Sequence, residues 1–186
     1  MATATQVLRH EHDAILKMLD ATEQVAQRAE RGEKIPAEVL TDLLEFFRLF
    51  ADRCHHGKEE DLLFPLLRKK GIPGEGGPIG MMLYEHEQGR SLIRQMAEAV
   101  EAYQSGQATA GTAWAKAARG YTDLLRSHIN KENNVLFPMA DRVLAAGEQA
   151  SLAEEFERLE VEKMGTGTHE RLHAKMDKLL RELARR

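Results

Sequence analysis

One twelve-residue pattern occurs twice in this chain, as CHHGKEEDLLFP at 54–65 and SHINKENNVLFP at 127–138. In each copy a histidine precedes a glutamate by four residues, and Phe-Pro closes the segment. The alignment matches His55 with His128 and Glu59 with Glu132. Upstream, after a shift of one residue, HEHDAILKML matches YEHEQGRSLI and pairs His12 with His86. Each half therefore reads as a helix bearing Glu-His-acid, then a helix bearing His-x-x-x-Glu and Phe-Pro. Two such hairpins predict an all-α fold, an up-down-up-down four-helix bundle with internal pseudo-twofold symmetry.

Turn signals divide the chain consistently with that reading. A first helix is expected from about Thr5 to Ala29, stopping near RGEKIP. Pro36 suits the first turn of a second helix, with Glu38 near its positive end. The loop GIPGEGGPIG separates the two hairpins, and SGQATAG separates a third helix (about Met81 to Gln104) from a fourth (about Thr112 to Ala146). An additional C-terminal helix begins near Ser151, breaks at GTGT and resumes. A single domain over 1–186 is expected, with helix pairs at about 5–70 and 80–146 and an extension at about 150–186. No window alternates with a period of two, so no sheet is expected.

Residues four apart share a helix face, so His55 points with Glu59 and His128 with Glu132. His12 lies in an apolar stripe with Leu8, Ile15 and Leu19, and His86 in one with Met82, Ile93 and Val100. Both stripes face the bundle interior. Four imidazoles and two carboxylates then converge in an apolar setting, where unpaired carboxylates would cost several kcal/mol or stay protonated. A cation resolves this. Imidazole with carboxylate suits iron, manganese or zinc, and two shared glutamates suit a pair of metals. Two histidines per metal, two shared carboxylates and a bridging oxygen leave an octahedral ion one open position.

Chance does not account for the set. With 8 histidines and 30 acids in 186 residues, about one His-x-x-x-acid pair is expected (8 × 30/186). Four occur: His55/Glu59, His56/Glu60, His128/Glu132 and His173/Asp177. His56 and Glu60 compete with their neighbours for the ligand role, and the repeat favours His55 and Glu59, because His56 aligns with Ile129. His56 and Glu60 are then expected behind the ligands or exposed.

Composition excludes other classes. The net charge of −4, with acids and bases interspersed, gives no basic stripe for nucleic acid. No apolar run is long enough to span a bilayer. MATATQVLRHEHD has no apolar signal core, and the single cysteine, Cys54, suits a reducing interior, so a cytoplasmic protein is expected. Neither a phosphate-binding glycine loop nor a nucleophile with a base is found.

At the ligand-type residues the chain resembles the hemerythrin-like (HHE cation-binding) family, over roughly His12 to Pro138. The resemblance implies a non-haem centre of two iron ions bridged by oxo or hydroxo, with manganese or zinc as alternatives. Its imidazole ligands would be His12, His55, His86 and His128, and its bridging carboxylates Glu59 and Glu132. Oxygen-carrying members place a second histidine four residues after the helix-three ligand, where this chain has Arg90. They use an aspartate five residues after the last histidine, where this chain has Asn133. Two more symmetric and more open metals are therefore expected, closer to the branch of di-iron repair proteins and iron- or oxygen-sensing domains than to carriers.

Three functions stay open at this point. One is binding or sensing of dioxygen, nitric oxide or peroxide, or iron handling. The second is a di-iron oxidase, peroxidase or nitric-oxide reductase fed by an external electron donor. The third is a metal-free helical interaction module. His169 and His173, at successive i, i+4 positions in the last helix, are expected to pack or cap that helix, with roles as extra ligands, at the metal entrance or in a separate site as alternatives. His10 is expected in solvent, Pro65 and Pro138 at helix bends, and Tyr121 and Cys54 in the core.

Overall fold

A computed structural model of the chain describes residues 2–184, and these form six helical rods with no strand among the described residues. Helix α1 is Ala4–Glu30. Its start is fixed by Thr3, whose hydroxyl accepts from the Gln6 amide while the Gln6 side chain accepts from the Thr3 amide, so two otherwise orphaned donors are satisfied. Helix α2 covers 37–69, α3 is Pro78–Gln104, α4 covers 110–143, α5 is Ala146–Met164 and α6 is Thr168–Ala184.

Helices α2 and α4 are not uniformly wound. In α2 the stretches Phe47–His56 and Glu59–Leu63 adopt the wider turn in which an amide bonds the carbonyl five residues back, and in α4 Glu132–Leu136 does the same. Each Phe-Pro explains the last turn before it. Proline brings no amide, and its ring would strike the carbonyl four residues back. The widened turns, closed by Phe64 N–H on Glu59 O and Phe137 N–H on Glu132 O, absorb that conflict without breaking the rod. The expected bends are thus widened turns, and each starts on a candidate ligand glutamate.

The four long rods pack in a ring: α1 beside α4, α4 beside α3, α3 beside α2, and α2 beside α1. The C-terminal pair, α5 and α6, lies across α1 and α2. Helix α4 stops at Val143, and α5 starts at Ala146 rather than near Ser151. Leu144 is extended and buried, and the Glu148 carboxylate accepts from the Ala145 amide at 2.9 Å. The break at GTGT is confirmed: Gly165 and Gly167 have φ of 82° and 78°, a conformation costly for any residue with a β-carbon. None of the described helices is long and apolar enough to cross a membrane.

Two apolar clusters fill the bundle. The larger contains Ile15, Phe47, Met96, Trp114 and Tyr121; the smaller, at the Phe-Pro end, contains Leu8, Leu63, Phe64, Phe137 and Phe156. Between them lies a polar layer. Trp114 is fully buried in the larger cluster. Trp114→Ala should destabilise the protein by ~3–5 kcal/mol, seen as a lower urea midpoint with an unchanged slope. An unchanged midpoint would contradict the assignment of this cluster as the main core.

Candidate metal centre

Four helices contribute to the polar layer: His12 from α1; His55, His56 and Glu59 from α2; His86 from α3; and His128 and Glu132 from α4. All seven side chains are at most 3% exposed. Their ligand-type atoms form two groups, each with all members within 4.8 Å of one another: His12, His55, Glu59 and Glu132 in the first, and His56, Glu59, His86 and His128 in the second. Nε2 of His12 is 3.0 Å from Nε2 of His55, and Nε2 of His86 is 3.1 Å from Nε2 of His128. Glu59 sends one oxygen towards His55 (3.6 Å) and the other towards His86 (3.5 Å). Oε2 of Glu132 is 3.1 Å from His12 and 3.3 Å from His128. Both glutamates thus sit between the two groups, as bridges would.

The structure brings together all six residues singled out by the repeat, and it adds His56. Because the wide turn of α2 rotates less per residue, the consecutive His55 and His56 both stay on the inward side. The His56 ring stacks on His86 at 3.9 Å, with 15° between the planes, and its Nε2 is buried with no hydrogen-bond partner. His56 is thus neither exposed nor behind the other imidazoles, the two placements expected for it, and the expectation of two symmetric positions with two imidazoles each is corrected. The first group has two imidazoles and the second has three. The repeat could not reveal this, because the partner of His56 in the other half is Ile129.

Every inward imidazole is held from behind through Nδ1. Glu11 accepts from His55 at 2.8 Å and Glu85 from His128 at 2.9 Å. Glu60 is 2.7 Å from Nδ1 of His86, the Asn133 amide oxygen 2.9 Å from that of His12, and Asp52 3.4 Å from that of His56. With Nδ1 donating outward, each Nε2 presents a lone pair to the centre, the arrangement that orients metal-ligating histidines. Lysines hold two of these carboxylates in turn, Lys58 on Glu11 and Lys131 on Glu85. Sequence reasoning missed these four residues, although the signal was present. Under the same alignment Glu11 matches Glu85, Lys58 matches Lys131 and Glu60 matches Asn133. The repeat thus encodes the supports as well as the ligands.

The electrostatics suit a cation. Burial pushes the imidazoles of His56 and His86 down to about 3, and that of His55 well below the ordinary range, with repulsion between imidazoles adding to the shift. These rings stay neutral and available as ligands. Burial, then repulsion from Glu132, holds the Glu59 carboxyl well above the usual carboxylate range. For Glu132 burial is outweighed by His128 and His12, which hold it low. All four carboxylate oxygens of Glu59 and Glu132 are buried without a hydrogen-bond partner. Such orphans are rare in folded proteins and costly. Acceptor oxygens and inward nitrogen lone pairs, with no donor supplied, are the donor set a metal pair requires.

Other residues lie away from this layer. His10 is exposed, as expected. His169 and His173 are outside both groups; they pack against Phe50 and line a cavity of about 660 Å³ between α1, α5 and α6. His169 approaches Glu11 and Glu160, but the Lys58 ammonium already lies between those carboxylates, 2.8 Å from Glu160. Burial pushes the Cys54 thiol up to about 12, so it is no nucleophile at neutral pH. Tyr121 is buried with a hydroxyl that finds no partner among the described residues.

A family model described as the hemerythrin HHE cation-binding domain matches residues 3–140. An uncharacterized protein of Mycobacterium tuberculosis is 26% identical over 88% of this chain and 63% of its own length. The iron-sulfur cluster repair protein YtfE of Enterobacter sp. (strain 638) is 31% identical over 69% of this chain and 60% of its own. DnrN of Neisseria gonorrhoeae, also named an iron-sulfur cluster repair protein, is 26% identical over 73% of this chain and 88% of its own. The chain thus spans about three fifths of the length of the mycobacterial and Enterobacter relatives. No solved structure matches it at a significant level.

If Glu11 holds His55 for metal binding, Glu11→Gln should weaken ferrous-ion affinity by about 10–100-fold, measured by competition with a chromophoric chelator. His10→Ala, two residues from His12 but exposed, should leave that affinity unchanged. Equal losses in both variants would contradict the geometry.

Proposed function

The chain belongs to the hemerythrin HHE cation-binding family, and from that premise we propose that it is a di-iron protein acting in iron handling, with its open metal positions accessible to dioxygen, nitric oxide or peroxide. His12 and His55 would hold one ion and His56, His86 and His128 the other, with Glu59 and Glu132 available to both. The observation that carries this reading is the set of unpartnered carboxylate oxygens on Glu59 and Glu132 facing inward Nε2 atoms in a sealed layer. A metal-free interaction module would have no use for such a layer and would bear its full desolvation cost.

Iron bound there would supply ferrous–ferric redox chemistry and a coordination position for a small ligand. The chain's own residues do the rest. The Nδ1 partners Glu11, Asp52, Glu60, Glu85 and Asn133 fix the imidazole tautomers. The Phe64 ring lies 5.9 Å from His86 and that of Phe137 5.4 Å from His12, so the smaller apolar cluster keeps bulk water off the layer. Two relatives are named for iron-sulfur cluster repair. We take that chemistry, iron supplied to or protected for damaged clusters in a reducing cytoplasm, as the role proposed here.

The experiment is a repair assay. The ferrous-loaded chain, incubated anaerobically with a [4Fe–4S] hydro-lyase damaged by nitric oxide, should restore its activity well above a control of free ferrous ion at equal concentration. Glu132→Ala, lacking one bridge, should hold at most one ion per chain and lose the effect. Repair no better than free iron would refute the iron-handling role, and full metal content in Glu132→Ala would refute the ligand set.

A further inference from the structure

The two halves of the repeat differ most around one residue. Arg90 lies four residues after His86, and its counterpart four residues after His12 is Leu16. Its guanidinium donates from Nε to Asp52 at 2.8 Å, from Nη2 to Glu60 at 2.7 Å and from Nη1 to Glu87 at 2.6 Å. Asp52 is the carboxylate behind His56, and Glu60 the one behind His86. One side chain on α3 therefore grips both supports on α2 whose imidazoles stack on each other in the second group. The matching positions in the opposite halves are Leu16, Leu125, Ile129 and Asn133, with no cation and no carboxylate. A planar guanidinium presents several donors in a fixed fork, so it can hold two carboxylates at once in defined directions.

The setting explains why a clamp is needed here. Arg90, Asp52 and Glu60 line a groove of about 690 Å³ open to solvent, and their side chains are 24–26% exposed. Water reaching the groove competes for the carboxylates, and a carboxylate turned outward leaves its imidazole free to rotate. The supports of the first group, Glu11 and Asn133, are held differently: Glu11 is buried and bound by Lys58, and Arg9 reaches the Asn133 backbone carbonyl rather than the side-chain oxygen that faces His12.

We propose that Arg90 is a positioning residue for the second metal position: through Asp52 and Glu60 it fixes His56 and His86, and so makes the two positions of the pair unequal. The inference rests on the di-iron reading above.

The test compares the full wild-type chain with Arg90→Leu, which copies Leu16, and with Arg90→Lys. Each is titrated anaerobically with ferrous ion against a competing chelator, and the ⁵⁷Fe-loaded forms are examined by Mössbauer spectroscopy. Wild type should take two ions and give two distinct doublets. In Arg90→Leu one ion should bind about 10–100-fold more weakly and one doublet should shift, while the other ion and the metal-free melting temperature stay close to wild type. Arg90→Lys, whose ammonium can serve only one carboxylate well, should recover less than full affinity. Unchanged affinities in Arg90→Leu, or full recovery in Arg90→Lys, would overturn the clamp. Equal weakening of both ions with a lower metal-free melting temperature would reduce Arg90 to a structural role. A wild-type chain that takes up no iron would overturn the di-iron reading itself, a result distinct from all of these.

Discussion

Glu59 and Glu132 are buried in the middle of a helical bundle, and no protein group hydrogen-bonds their carboxylates. The arrangement around them follows from that constraint. Two carboxylates so placed repel each other; burial and that repulsion hold the Glu59 carboxyl up, while His128 and His12 hold Glu132 down. They are compatible with a stable fold only if a cation enters between them or a proton is retained. The bundle is prepared for the cation. The imidazoles of His55, His56 and His86 are held neutral by burial, and the outer nitrogens of all five rings are committed to acceptors while the inner ones face the centre.

Supports form nested layers. Behind the imidazoles stand Glu11, Asp52, Glu60, Glu85 and Asn133, and behind these stand Lys58, Lys131 and Arg90. Each layer fixes the one inside it, so ligand geometry does not depend on flexible side chains alone. The C-terminal pair of helices, beyond the family match at 3–140, joins this scheme through Glu160, which pairs with Lys58. The two halves share most of this scaffold and differ in the quartet of Asp52, His56, Glu60 and Arg90. The internal symmetry is thus retained in the frame and broken in the chemistry.

Much of this was legible in the sequence for a specific reason: duplication turns weak signals into strong ones. A single His-x-x-x-Glu means little, whereas its recurrence with Phe-Pro in register identified six residues that the structure brings together. The same register carried Glu11 with Glu85, read as part of the Glu-His-acid pattern but given no role, and Lys58 with Lys131, which went unread because charged residues on helices are common. His56 was illegible for a physical reason. Its inward placement beside His55 depends on the widened turns of α2, whereas the choice between the two histidines rested on the repeat, in which His56 aligns with Ile129. The start of α5 was missed because Leu144 and Ala145 break the helix without glycine or proline, through burial of Leu144 and the bond from Ala145 to Glu148.

The central claim is that two metal ions lie between five imidazoles and two carboxylates. An anomalous-diffraction experiment on crystals of the iron-loaded chain, at wavelengths either side of the iron edge, tests it most directly. The account predicts two iron peaks per chain, one between His12 and His55 and the other among His56, His86 and His128, with Glu59 and Glu132 reaching both. A single peak, or iron bound only outside this layer, for example beside Glu11, Glu160 and His169, would contradict it.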